Sequence, residues 1–233
     1  MKSNINKFIQ ELQAYESPEN VFNPWRDYEE SCDISSEAPN NIRSKQIKQF
    51  LEARIPGAMY LLVAEAVGYQ GGRFTGVAMT SERILLGKHE NIRPSVILQN
   101  GQGKRTSNPD NSNLNNTQKR FGFTEPTATI VWGEVMKSTV SVYQVITWNI
   151  FPFHPFDLSK GPLTNRTPTA AELELGAYYT KVLLNLCPNI TVISIGRHSS
   201  KTLSKLAIEN IHVPHPANGG AGNFRSAIKK VLV

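Results

Sequence analysis

The chain has 233 residues, 39% of them hydrophobic and 19% charged, an ordinary soluble globular composition that excludes a fibre or a wholly disordered chain. That length holds one sizeable core and is short for two. With 25 Lys and Arg against 19 Asp and Glu the formal charge is +6, which favours anionic partners, because cations that neutralise phosphates release counterions.

Ile5, Phe8, Ile9 and Leu12 recur at helical spacing between Lys2 and Tyr15, and Ile47, Phe50 and Leu51 do so between Ile42 and Ile55. Both stretches predict helices of an N-terminal extension, residues 1–58, packed on a core domain over 59–233. Pro18 to Asn41 is rich in Pro, Asn, Ser and acids and reads as irregular. The first residues lack the apolar stretch of a signal peptide, and the longest apolar run, around Ile55 to Ala66, is broken by Glu65. Neither export nor a membrane span is therefore expected. Cys32 and Cys187 cannot build a disulfide framework and no Cys-x-x-Cys pair is present, so a reducing cytoplasm fits.

Met59 to Ala64 is a near-continuous apolar run, as expected of a parallel strand covered on both faces. A glycine-rich segment, Gly68 to Gly76, follows it. Thr106 to Lys119, with its Asn, Ser, Pro and Asp, has too little apolar surface to offset its ordering entropy and is expected to be a mobile insertion. Further strands are predicted at Tyr143 to Trp148, Ile190 to Ile195 and, more weakly, Ile211 to Val213. Thr169 and Glu172 have capping-box spacing behind Pro168, so a helix starts there and ends before Pro188. Shorter helices are expected over Ser199 to Leu206 and Phe224 to Leu232, the last carrying Arg225, Lys229 and Lys230. Four strands separated by helical stretches predict an α/β class, a three-layer α/β/α sandwich around a central, mostly parallel four-stranded sheet.

In such sheets ligands bind beyond the carboxyl ends of the strands. Three unusual segments fall there: Glu65 to Gly76, Trp148 to Pro155, and Pro214 to Ala221. Each has a plain reading by itself. The glycines fit neither a dinucleotide fingerprint nor a P-loop and could simply turn the chain, Asn149 could cap the next element, and His215 could be a surface loop residue. His154 reads as structural. Taken together, the three segments supply an aromatic, an amide and an imidazole on one face, which is what chemistry on an extracted base requires.

Five motifs in order carry a resemblance. Ala64-Glu65-Ala66-Val67-Gly68, continuing into Arg73-Phe74-Thr75-Gly76, resembles the Gly-Glu-Ala-Pro-Gly motif of a bacterial branch of the uracil-DNA glycosylase superfamily. Asn149 ends the second strand as in that family and is followed by a Pro-rich loop. Asn165-Arg166-Thr167-Pro168-Thr169 with Glu172 looks like the helix entry of its thermostable branch, whose iron–sulfur cysteines are absent here. Ile193 to Arg197 resembles its third strand and turn, and His215-Pro216-Ala217 its closing motif. The likeness spans roughly Leu61 to Arg225.

The resemblance implies roles for particular residues. Phe74 would stack on the flipped base. Asn149 would read the pyrimidine edge, and His215 would stabilise the departing anion. Backbone groups of Ala66 and Gly68 would help hold the base, with Tyr69 beside them excluding thymine. Ala66 stands where the best-studied members carry a water-positioning Asp, which leaves Glu65 as the nearest carboxylate. Arg197, Asn218, Gly219 and Arg225 would contact the DNA backbone. The implied protein is a monomer that needs no metal or other cofactor and takes DNA containing uracil or a related damaged base as its partner. A relative that recognises a flipped base without cleaving it, and a nucleotide-binding α/β protein, are the alternatives.

Overall fold

A computed structural model describes residues 1–99 and 101–233. In chain order its elements are α1 (Lys2–Ala14), β1 (Val21–Phe22), α2 (Pro39–Arg54), β2 (Tyr60–Ala66), α3 (Gly72–Thr75), α4 (Glu82–Leu85), α5 (Asn116–Phe121) and α6 (Pro126–Val135). They continue with β3 (Val145–Phe151), β4 (His154–Pro155), α7 (Ala170–Leu186), β5 (Thr191–Ile195), α8 (Arg197–Lys205), β6 (Ile211–Val213) and α9 (Ala221–Ile228).

The central sheet has the order β3-β2-β5-β6, with every neighbouring pair parallel. All of β3 and the first five residues of β2 are buried, which is why these strands read as apolar runs without alternation. Side chains leave β3 to opposite faces. Trp148 donates from Nε1 to Thr180 on α7 at 3.1 Å, while Thr147 donates to the Ala78 carbonyl at 2.8 Å. Helices therefore cover both faces, giving the expected three layers. Ile5, Phe8 and Leu12 of α1 and Phe50 and Leu51 of α2 are buried in the same core as the strands. Burying a side chain of this size contributes about 1.5–3 kcal/mol each.

The helix expected from Thr169 forms as α7, with the Thr169 hydroxyl accepting from the Glu172 amide and the Glu172 carboxylate accepting from the Thr169 amide. Other boundaries differ. α8 begins at Arg197 rather than Ser199, and α9 runs from Ala221 to Ile228 rather than from Phe224 to Leu232. Asn149 lies inside β3, two residues before its end. β1 pairs antiparallel with β4, Val21 against Pro155 and Phe22 against His154, a ribbon too short to leave a periodic signal.

The segment from Thr106 to Lys119 is not the free loop its composition predicts. Thr106 and Ser107 are fully buried. Their amides both donate to Glu82 Oε1 at 2.9 Å, Ser107 Oγ donates to Glu82 Oε2 at 2.6 Å, and Ser107 bridges to Asp33. α5 follows with a capping box between Asn115 and Gln118. Long-range hydrogen bonds to a buried carboxylate, rather than apolar area, offset the ordering entropy here.

Candidate functional site

Because the sheet is parallel, the loops after β2, β3, β5 and β6 leave it at one edge. Register sets Ala64 beside Asn149 and Ile195 beside Val213. Between these loops lies a cleft of about 610 Å³, lined among others by Glu65, Ala66, Gly68, Glu125, Asn149, Asn165, Arg197 and His215.

Asn149 forms part of the floor and is 3% exposed. Its Nδ2 donates to the Ala66 carbonyl at 2.9 Å, which fixes the orientation of the amide. Its Oδ1 is buried with no hydrogen-bond partner. A buried acceptor left unpaired costs about 1–3 kcal/mol, a cost that a ligand N–H reaching Oδ1 would relieve.

His215 stands at the rim with its ring exposed, yet burial against the protein lowers its pKa. Nδ1 accepts from the Ala217 amide at 3.1 Å, so the neutral ring carries its proton on Nε2 and offers it as a donor. Gly196, at φ +88°, lets the entry to α8 approach closely, since a Cβ there would lie 3.2 Å from the His215 Cβ.

Glu65 Oε1 lies 3.7 Å from His198 Nδ1 at the start of α8. The same helix start presents Arg197, which is exposed, and Ser199, whose buried Oγ has no partner. Free amides at a helix start favour an anion.

The structure thus brings Glu65, Ala66, Gly68, Asn149, Arg197 and His215 to one cleft. Phe74 does not join them. Its ring is 1% exposed and stacks on Phe123 at 4.7 Å and 9°, with the Arg73 guanidinium 4.3 Å from the ring centre. The cluster around it comprises Cys32, Leu114 and Phe123, with Tyr69 and Leu163 against it. Phe74 is held in packing because Phe123 takes the face that the sequence reading reserved for a base. Tyr69 also turns to Phe123, edge to face at 6.0 Å, and only its backbone neighbours the site, donating to Asn165 Oδ1 at 3.0 Å. Asn218 and Gly219 adopt positive φ in an exposed loop beyond His215, outside the cleft lining. Arg225 lies on a separate cleft, 3.6 Å from Glu134.

Beneath the aromatic cluster, Asp33 accepts from Arg43 at 3.2 Å and from Arg73 at 2.9 Å, with all three side chains sealed from water. Burial draws the Arg43 guanidinium below its usual range. His154 is structural, as its sequence context suggested. It is fully buried, 2.7 Å from the Thr164 carbonyl, and burial pulls its pKa down to about 3.

Asn165 and Glu125 are among the cleft residues that the sequence did not mark as part of the site. Asn165 was visible only as part of a helix entry, where Arg166 and Glu172 form a bidentate pair at 2.6 and 2.7 Å. Glu125 is the residue before α6, and its only signal was a carboxylate ahead of Pro126. Its Oε2 is buried and unpartnered, and burial pushes its pKa up to about 7.

Among the described residues no group of three or more His, Cys, Asp or Glu could hold a metal ion, and no helix is long and apolar enough to cross a membrane. No protein-family model matches the chain, and no curated protein matches it in sequence. Among solved structures, wild-type SMUG2 of Pedobacter heparinus is similar with a TM-score of 0.59 and 16% identity. The match covers 98% of this chain and 93% of that one. At that identity the likeness is one of fold, and it extends over the N-terminal helices as well as the sheet.

Proposed function

We propose that the protein is a DNA glycosylase that hydrolyses the N-glycosidic bond of uracil, or of another deaminated base, flipped out of DNA. The observation that carries the reading is the buried, unpartnered Oδ1 of Asn149 on the floor of a cleft whose rim carries the Nε2–H of His215. The fold of SMUG2, a protein of the superfamily that the five motifs resemble, supports it.

In this reading the everted base donates its N3–H to Asn149 Oδ1. The second Nδ2 hydrogen, not used by Ala66, donates to O4. Cytosine presents the opposite pattern at both atoms and is rejected by mismatch. As the glycosidic bond lengthens, electron density moves onto the base, and His215 Nε2–H stabilises the charge gathering at O2. The sugar becomes cationic at C1′, water adds there, and its proton leaves to solvent or to a cleft carboxylate, for which Glu65 is the assigned candidate. Arg197 and the free amides of α8 bind a flanking phosphate without reading sequence. The loop of Asn218 and Gly219 and the cation of Arg225 extend that backbone contact, and the protein acts as a monomer.

Incubation with uracil-containing single- and double-stranded oligonucleotides, followed by alkali, tests this directly. Strand scission at the uracil is expected. One observation favours a second reading: Ala66 offers no side chain to position water, as suits a protein that recognises an everted base without cleaving it. Salt-sensitive, uracil-selective binding without scission would establish that alternative.

A further inference from the structure

The glycine-rich loop after β2 does more than turn the chain. A Cβ on Gly71 would stand 2.1 Å from Glu125 Oε2, so the absence of a side chain at Gly71 makes the seat on which the carboxyl rests. A Cβ on Gly68 would lie 3.9 Å from Oε1 of the same carboxyl and 3.8 Å from the Asn165 amide. Glu125 thereby reaches the cleft from the start of α6, a different layer from Asn149, and borders Gly68. Among the described residues it makes no ion pair, and its Oε2 has no hydrogen-bond partner. The charged and titratable groups sharing the cleft are Glu65, Arg166, Arg197, His198 and His215. Arg166 is committed to Glu172, and Glu65 faces His198. Tyr69, next in the chain to Gly68, turns to Phe123.

We infer that Glu125 is a specificity-determining contact: its carboxyl, seated on Gly71 beside Gly68, donates a hydrogen bond to a carbonyl oxygen on the edge of the everted base. The assignment rests on the glycosylase reading above. Deamination replaces an exocyclic amine by a carbonyl, so a group that must donate there distinguishes the deaminated base from its parent. A neutral carboxyl can donate, whereas a carboxylate offers only acceptors and repels a carbonyl. Burial without a cation pushes the Glu125 pKa up to about 7, so the contact is complete well below neutrality and is lost as pH rises through about 7.

The test measures single-turnover base release from oligonucleotides carrying uracil or hypoxanthine, from about pH 5.5 to about pH 9. It uses the wild-type protein and the variants Glu125→Gln, Glu125→Ala and Gly71→Ala, the last forcing the carboxyl off its seat. For the wild type, release of carbonyl-edged bases should fall as pH rises through about 7. Glu125→Gln, a permanent neutral donor, should keep the low-pH rate and abolish that fall. Glu125→Ala and Gly71→Ala should each lose about tenfold or more in kcat/KM.

An active wild type with a flat profile and unchanged Ala-variant rates would overturn the assignment. So would a rate that rises through pH 7 and vanishes in Glu125→Gln, because the carboxylate would then be activating water. If the wild type releases no base, the glycosylase reading falls while the contact is still decided by binding. Preference for uracil over cytosine oligonucleotides that disappears in Glu125→Ala supports it, and preference that persists overturns it.

Discussion

Asn149, near the end of β3, and Phe74, in α3 just after β2, stand at one sheet edge and meet opposite fates. Asn149 is held by a strand and one backbone carbonyl, and its other polar atom is buried beneath the cleft without a partner. Phe74 is consumed, stacked on Phe123 above a sealed Arg43–Asp33–Arg73 group. Open polar atoms are costly and persist where a ligand completes them, whereas a filled aromatic cluster stabilises the fold whether or not a ligand comes. Under the proposed function, selectivity at this site rests on the polar edge of the base, with Asn149 and Glu125 as its readers, and the aromatic cluster packs as a platform beneath the first loop.

The largest expected effect breaks the platform. Asp33→Ala leaves two guanidinium groups buried without their carboxylate, and removing one member of such a group costs about 3–5 kcal/mol. Urea unfolding should record a loss of that size. A loss below about 1 kcal/mol would mean that water reaches the site and the platform is soft.

Next in size is the reader. Asn149→Asp replaces an amide that donates to Ala66 by a carboxyl, leaving two acceptors facing each other and scrambling the pattern offered to the base. We expect uracil release to fall by at least about a hundredfold, with circular dichroism unchanged. Unaltered release in a base panel would remove Asn149 from the site.

Acid should expose the support behind both regions. His154 titrates near 6.5 when unfolded and near 3 when folded, so the unfolded chain binds the extra proton first. Its contribution is complete above about pH 6.5 and is lost as pH falls from there toward about 3, by about 1.4 kcal/mol per unit. In His154→Gln, urea midpoints measured across that window should decline less steeply than in the wild type.

The sequence made the frame legible where burial is two-sided or a cap is local. The runs at Met59 to Ala64 and Tyr143 to Trp148 needed no alternation to be read, and Thr169 with Glu172 announced α7 within four residues. Asn149 and His215 followed from their places at strand ends. Glu125, Thr106 and Ser107 did not, because contacts with distant residues place them: hydrogen bonds to Glu82 order the segment before α5, and the bare backbone of Gly71 leaves room for the Glu125 carboxyl. Periodicity carries no trace of such pairs. Phe74 was located correctly on the first loop but not in direction, since where its ring points depends on Phe123, whose role only the folded chain reveals.

That ring supplies the smallest and most discriminating effect. Were Phe74 a stacking surface, its loss would cost about 1–3 kcal/mol per base in binding, or roughly 5- to 150-fold. Packed against Phe123 it instead contributes to folding, and Phe74→Leu, similar in volume, should lower stability by about 1 kcal/mol while kcat/KM of the folded protein changes less than about threefold. Thermal melting and single-turnover release on one preparation separate the two. A stable variant with crippled release would mean that Phe123 swings away when DNA binds and hands its place to the base, so the platform would belong to the reader after all.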